Sequence, residues 1–188
     1  MESIIVGILL ALFILSWAVG AYKRLLLLQR QVRQAFGKLE IPLKQRHEEV
    51  PVVVEAARAY LKEERELLEA VIEARNRAQE ALALPAASPF SRDAVQRLAA
   101  AEGELDLALA GLFTACRSKG HLAVNASLAA LVDQIAALNT QIGFLRDAYN
   151  DTTRQYNVVR KLIPGILVAV IFAFIPAVPM GMLPVRRN

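Results

Sequence analysis

The residues of this chain best suited to metal binding or nucleophilic chemistry are two histidines and one cysteine, and their spacing supports neither. His47 precedes Glu48 and Glu49, but no second histidine or cysteine lies at a metal-ligand spacing from it. We therefore expect a solvated or helix-capping side chain at His47, and a loop or cap role for His121, just past a helix-stopping glycine. Cys116 has no partner for a disulfide within the chain, and its place in an apolar stripe predicts a small core residue.

The acidic residues also lack the arrangement that acid–base catalysis needs. Glu63 and Glu64 are adjacent in a segment rich in Arg and Lys, which is typical of a solvated helix face. Glu64 and Arg75 interrupt an apolar stripe, so we favour a buried polar network with a structural role, and a hydrolase using Glu64 is the enzyme alternative. No serine pairs with a histidine in a nucleophile elbow, and the glycines form no phosphate-binding loop. The sequence thus predicts no catalytic, cofactor-binding or metal-binding residue.

Helical periodicity dominates the segments that would have to position any site. Ala and Leu are abundant, and no stretch alternates with period two in β-branched residues, so the predicted fold class is all-α. A helix continuing from the N-terminal segment should be kinked or end near Pro42, with a second such point at Pro51 and a second helix over 43–84. A linker over 85–89 and a third helix over 91–118, capped by Ser91, follow.

The fourth helix has the most regular pattern. Its apolar residues alternate steps of three and four, which is a heptad seam that requires partner helices. We favour the core stripe of an antiparallel bundle over an open coiled-coil dimer. The residues expected at helix or subunit contacts are Leu138, Ile142, Leu145, Tyr149, Asn150, Tyr156 and Asn157. Two Tyr-Asn pairs recur seven residues apart, and their asparagines could hydrogen-bond across helices or belong to a strip of subunit contacts.

The N-terminal segment has the length and composition of a membrane-spanning helix. Ile4 to Tyr22 contains no charged residue, and its 19 residues, at roughly 1.5 Å each, reach about the ~30 Å of a bilayer core. Positive charges follow this apolar run instead of preceding it, which favours an anchor over a cleaved signal peptide. The same asymmetry predicts an N-terminus outside and the rest in the cytoplasm. The residues expected at the membrane and its interface are Ile4, Trp17, Tyr22, Lys23, Arg24, Arg30 and Arg33.

The net charge of +4 is unevenly distributed. It is −1 over residues 1–22, +6 over 23–46, −6 over 47–153 and +5 over 154–188. Basic zones that flank apolar segments are typical of contact with anionic lipid. The clustered basic face of a nucleic-acid-binding protein is absent from this pattern.

A second uncharged run lies at the other end of the chain. Leu162 to Val185 contains four prolines, and its composition fits a transmembrane span, a re-entrant or interfacial segment, or a segment buried between subunits. Arg186 and Arg187 would anchor its end at a cytoplasmic surface. The predicted domains are therefore an anchor over 1–22, a helical bundle over 23–161 and an apolar C-terminal segment over 162–188.

Short motifs in a fixed order resemble the LemA family of bacterial membrane proteins. They are Tyr22-Lys23-Arg24-Leu25, Val32-Arg33-Gln34-Ala35-Phe36, Leu43-Lys44-Gln45-Arg46-His47, the stretch 68–75, and the repeated Tyr-Asn pair. The resemblance covers roughly residues 5–170. It implies an N-terminal transmembrane helix in the bacterial inner membrane, an antiparallel helical bundle in the cytoplasm and no established enzymatic activity. A relative that acts in forming magnetosome membranes suggests a membrane-organising role.

These observations predict a non-enzymatic membrane scaffold that self-associates into a homo-oligomer. Its expected partners are the lipid bilayer, with anionic lipid at the basic segments, and further copies of the chain. We expect no cofactor and no nucleic acid. The alternative is a membrane-tethered adaptor whose acidic middle region docks a basic client protein.

Overall fold

The computed structural model describes residues 1–118 and 125–181, apart from the side chains of residues 2, 3, 11 and 87. Within these ranges the chain forms five helices and no strand, which confirms the all-α prediction. The helices are α1 (Glu2–Arg58), α2 (Arg65–Ala87), α3 (Arg92–Ser118), α4 (Ala126–Lys161) and α5 (Gly165–Ile171). His121, Arg186 and Arg187, for which the sequence made predictions, lie outside the described residues.

Helix α1 runs without interruption through both of its prolines, so the predicted helix boundary near Pro42 is wrong. The predicted second helix over 43–84 is also wrong, because α1 ends at Arg58 and the chain reverses before α2. A proline at position 51 removes the N–H that would bond the carbonyl of His47 four residues earlier. The Nε of Arg75 on α2 donates to that carbonyl at 2.6 Å. A side chain from the neighbouring helix thus replaces the bond that Pro51 cannot make.

Helix α4 is capped at its N-terminus and buries the predicted heptad seam. The Asn125 side chain accepts hydrogen bonds from the backbone N–H groups of Ser127 and Leu128 at 2.9 and 3.0 Å, which caps the helix. Buried residues at the predicted heptad positions include Leu128, Ile135, Leu138, Ile142, Tyr149 and Tyr156. Ser91 is the predicted cap of α3, and its Oγ lies 3.4 Å from the N–H of Ala94.

The four long helices run up and down as an antiparallel bundle, with α1 packed along α4, α2 along α3, and α1 against α2. Their lengths differ in a way that shapes the core. At roughly 1.5 Å per residue, α4 and the part of α1 beyond residue 22 each span about 54 Å. Helices α2 and α3 reach only about 35 and 40 Å. The α2–α3 hairpin therefore covers roughly two thirds of the α1–α4 pair, the part that lies farthest from the N-terminal segment.

The C-terminal segment covers the remaining part of the α1–α4 pair. After α4 the chain turns at Pro164, forms α5, and turns again at Ala173, whose φ is 52°. Residues 174–181 then run extended and antiparallel to α4. Their buried side chains join Leu25, Val32 and Phe36 of α1 in one apolar cluster. We call residues 174–181 the tail, and the end of the bundle beside residues 16–24 the proximal end.

Removal of the Arg75 side chain is expected to destabilise the protein by about 1–3 kcal/mol, because the His47 carbonyl loses its donor. The same Arg75→Ala change should have little effect in a Pro51→Ala background, since a backbone N–H at position 51 can then bond that carbonyl. Denaturant unfolding of the four variants of this cycle measures the coupling. Arg77→Ala is the control, because Arg77 is half-exposed and pairs with other groups. Equal costs of Arg75→Ala in both backgrounds would contradict the assignment.

Candidate functional site

Among the described residues, two groups of polar side chains and one apolar surface stand out as candidate sites. The first group is a buried charge cluster that joins three helices. Arg46 of α1, only 1% exposed, contacts Glu102 through Nη2 and donates from Nη1 to Asp106 at 2.5 Å. The same Nη1 donates to Oδ1 of Asn139 on α4 at 2.6 Å.

His47 completes the cluster. Its Nε2 lies 2.8 Å from Oε1 of Glu102, and its ring is 2% exposed. The prediction of a solvated or capping histidine is therefore wrong, because the side chain lies in the bundle core. The charge pattern placed Arg46 in the basic zone over residues 23–46, which was expected to contact lipid. Arg46 instead lies about 35 Å along α1 from Lys23, and it pairs with the carboxylates of Glu102 and Asp106.

The chemistry open to this cluster is restricted by its own contacts. Both Glu102 oxygens face Arg46 and His47, so this carboxylate is fully engaged within the protein. A buried guanidinium bonded to α3 and α4 instead fixes how these helices pack on α1. Among residues 1–118 and 125–181, no three His, Cys, Asp or Glu side chains are grouped so that they could hold a metal ion.

The second group is the Tyr-Asn ladder, which we define as Tyr149, Asn150, Tyr156 and Asn157 of α4. Asn150 holds the backbone of Met180 on both sides: its Nδ2 donates to the carbonyl at 3.0 Å and its Oδ1 accepts from the N–H at 2.8 Å.

Asn157 makes the same pair of bonds with Ala177, at 2.7 and 3.0 Å. The prediction that these asparagines hydrogen-bond across helices is wrong. Their partner is the tail of the same chain.

The tyrosines of the ladder bind the carbonyls between these points. Tyr149 donates to Val178 at 2.7 Å and lies 3.3 Å from the carbonyl of Pro89 in the α2–α3 connection. Tyr156 donates to the carbonyl of Ile175 at 2.8 Å. Burial raises the pKa of Tyr149 to about 12 and also raises the pKa of Tyr156. Both hydroxyls therefore remain neutral donors at physiological pH.

Ladder and tail match because their repeats have the same length. Seven residues of α4 rise about 10.5 Å, and three residues of an extended or polyproline chain rise about 9–10 Å. The tail repeats with period three as Ile175-Pro176-Ala177 and Val178-Pro179-Met180. Each Tyr meets the residue before a proline, and each Asn meets the residue after it. The prolines themselves bring no N–H that would need a partner.

The apolar surface lies at the proximal end. Residues 162–172 carry no charge and expose large apolar side chains, among them Leu162, Ile163, Leu167, Val170, Ile171 and Phe172. We call residues 162–172 the collar. It lies beside Trp17, Gly20 and Ala21 of α1. The ring of Tyr22 packs against Phe172 and Phe174, with centroids 4.8 and 5.8 Å away.

In the part of the chain that the structure describes, two helices are apolar and long enough to cross a membrane, by length and composition. In α1 the most apolar 18-residue window has a mean hydropathy of 2.6, and none of it is buried. In α4 the value is 1.3 and 28% of the window is buried, as fits a helix that forms part of the bundle core. The exposed apolar start of α1 is consistent with the predicted membrane anchor.

The other predicted interface residues lie along α1. Ile4 and Trp17 are exposed on the apolar part of the helix. Lys23, Arg24 and Arg30 are exposed on the first turns beyond it. Arg33 lies over the ring of Phe90, 5.6 Å from its centroid.

The sequence did not lead us to predict a functional or structural role for Glu102, Asp106 or Asn139, the partners of Arg46. A signal existed, because Arg46 lies three residues after Leu43 and four before Val50 in an apolar stripe of α1. Glu102 likewise precedes the buried Leu105 on α3. Opposite charges at core positions of two helices, Arg46 and Glu102, could have predicted a buried ion pair.

The sequence model of the LemA family matches residues 35–180, more than three quarters of the 188 residues. The matched span contains the charge cluster, the ladder and all but the last residue of the described tail. Comparison with curated proteins finds no match.

Loss of the Glu102 carboxylate is expected to destabilise the protein strongly. Glu102→Ala should lower the free energy of unfolding by about 3–5 kcal/mol, because the Arg46 guanidinium stays buried and loses one of its two carboxylate partners. Glu104→Ala, two residues from Glu102 but half-exposed and paired with Arg77, should cost less than about 1 kcal/mol. Denaturant unfolding followed by circular dichroism compares them. Similar costs would contradict the structural weight given to the cluster.

Alkaline pH is expected to weaken the attachment of the tail. The pKa of Tyr149 is raised from 10.0 to about 12 in the folded chain, so its contribution is complete below pH 10 and is lost as pH rises towards 12. Protease cleavage of the tail, followed with pH, measures this. Tyr149→Phe cannot ionise and should remove this part of the pH dependence, whereas the exposed Tyr60→Phe should retain it. Identical profiles for wild type and Tyr149→Phe would exclude this mechanism.

Proposed function

We propose that this chain, which belongs to the LemA family, is a non-enzymatic scaffold of the bacterial inner membrane that self-associates and organises or shapes the bilayer. The N-terminus lies outside and the bundle lies in the cytoplasm. The observation that carries the proposal is the collar: a second exposed apolar surface beside the base of the anchor.

Two apolar attachments at one end make the bundle more than a tethered domain. The anchor enters the membrane through α1, and the collar lies level with residues 16–24 of that helix. This span corresponds to about 12 Å along the helix axis, which is comparable to the ~5–10 Å depth that interfacial segments reach. A collar inserted at this depth would occupy area in one leaflet only, which is how such segments bend or sense membranes.

Basic side chains surround this end at the level expected for lipid headgroups. Lys23 and Arg24 follow the anchor, and Arg160 and Lys161 precede the collar. Each such residue near an anionic surface contributes about 1 kcal/mol of attraction. We propose that anionic lipid is the preferred surface.

The polar interior supports a structural role for the bundle. Arg46, Glu102 and the ladder asparagines use their hydrogen-bonding groups on neighbouring parts of the same chain. Rigid helices held by such contacts suit a scaffold that transmits membrane position to its neighbours.

One observation favours the adaptor alternative. A groove opens at the end farthest from the anchor, between the end of α1 and α2, and is lined by Glu55, Arg58, Lys62, Arg65 and Ile72. A client bound there would be held away from the membrane. Recovery of one stoichiometric protein from the cell, lost in Ile72→Glu and without self-association, would favour this function over the scaffold.

Collar insertion predicts a specific fluorescence result in proteoliposomes of the full-length chain. An environment-sensitive dye on Val170→Cys, with Cys116→Ala, should emit at short wavelength and be quenched by brominated lipid, because Val170 lies on the collar. Leu107→Cys is the matched control, since the two residues are 78% and 73% exposed but Leu107 lies on α3. Equal, water-like emission at both positions would refute insertion. Weaker quenching at position 170 in neutral than in anionic vesicles would support the lipid preference.

A further inference from the structure

The ladder has the properties of a receptor for an extended chain segment, occupied here by the chain's own tail. We propose that it is a binding site for a proline-spaced segment and that, between neighbouring copies in the membrane, the tail of one copy occupies the ladder of another. This inference rests on the self-association proposed above and names its partner: the tail of a second copy.

The ladder recognises the backbone of the tail. Six hydrogen bonds join the four ladder side chains to carbonyl and N–H groups of residues 175–180. Specificity comes from the prolines at 176 and 179, which place these groups three residues apart, and from the buried side chains of Ala177 and Met180. A tail from another copy offers the same groups, so every bond can form between copies.

The route by which the tail reaches its own ladder is constrained. The chain must reverse at Pro164 and again at Ala173. Ala173 adopts a φ of 52°, a left-handed conformation that disfavours residues with a Cβ. Gly165 tolerates no side chain, because a Cβ there would lie 2.2 Å from the carbonyl oxygen of Val159. If the turn at Ala173 opens, that backbone strain is relieved. The ladder bonds that are lost within the chain are then regained on a neighbouring copy.

The connection is long enough for exchange. With α5 still helical, residues 162–173 can span about 25 Å, from ~1.5 Å per helical residue and ~3.3 Å per extended residue. The axes of two helices in contact lie about 8–10 Å apart. The tail can therefore reach the ladder of a second copy whose α4 packs beside the first bundle. The anchors hold the ladders of all copies at the same height above the bilayer, and confinement raises their effective concentration.

Cross-linking between two differently tagged copies tests the exchange. Both carry Cys116→Ala; one carries Asn157→Cys and the other Ala177→Cys, and they are mixed during reconstitution into vesicles of bacterial lipid. Oxidation is expected to give a disulfide-linked heterodimer that bears both tags. A single chain with both cysteines shows that the pair can bond.

The control replaces the neighbouring residue on the outer face. Val158→Cys, more than half exposed and directed away from the ladder, mixed with the Ala177→Cys copy measures random collision. Heterodimer above this control supports exchange. An intramolecular disulfide in the doubly substituted chain, with no heterodimer above the control, overturns it.

A second measurement leaves the ladder side chains unchanged. Spin labels on Val158 of one copy and Ile175 of the other, both exposed, should give a short-distance population in double electron–electron resonance. Ala173→Gly relaxes the left-handed turn and should lower that population; the absence of any short distance in the unchanged hinge overturns the proposal. Light scattering separates the two levels of inference: a dimer without trans contacts refutes exchange alone, and a monomer refutes self-association and exchange together.

Discussion

The unequal lengths of the helices are the constraint on which the rest of this structure depends. Helices α1 and α4 run side by side for about 54 Å, but α2 and α3 cover only the distal part of them. An uncovered apolar stripe on two long helices would be exposed to water, at a free-energy cost of about 25 cal/mol per Å² of apolar surface. The tail covers this stripe, and the Tyr-Asn ladder, the collar and the turn at Ala173 all follow from bringing the tail there.

The same constraint explains why the ladder consists of amide and phenol groups. A chain that packs on a helix in extended form cannot share the hydrogen bonds of the helix, so its N–H and carbonyl groups need other partners. Asparagine supplies one donor and one acceptor on a short side chain, which satisfies both backbone groups of one residue. Asn150 and Asn157 therefore act in place of a neighbouring strand.

The distal half is held differently, by charge. Arg46 reaches α3 and α4 from α1, and Arg75 reaches α1 from α2, so each helix of the bundle is bonded to α1 at one level. Both arginines act beside the backbone hydrogen bond that Pro51 removes from α1. Arg46 immediately precedes His47, and Arg75 donates to the His47 carbonyl. The bundle tolerates a proline at this position because a cation on another helix can bond the freed carbonyl, a compensation that no local rule contains.

The sequence by itself determined the all-α fold class, the apolar start of α1 and the heptad seam of α4. Periods of three and four residues report which face of a helix is buried, because this pattern depends only on neighbours in the chain. It therefore gave the core positions of α4 and identified the Tyr-Asn pairs as contact residues. Only the tertiary structure decided what they contact. That His47 is buried, that α1 passes its prolines, and that residues 174–181 return to α4 depend on groups 19 to 55 residues away in sequence. Local patterns carry no information about such distant partners.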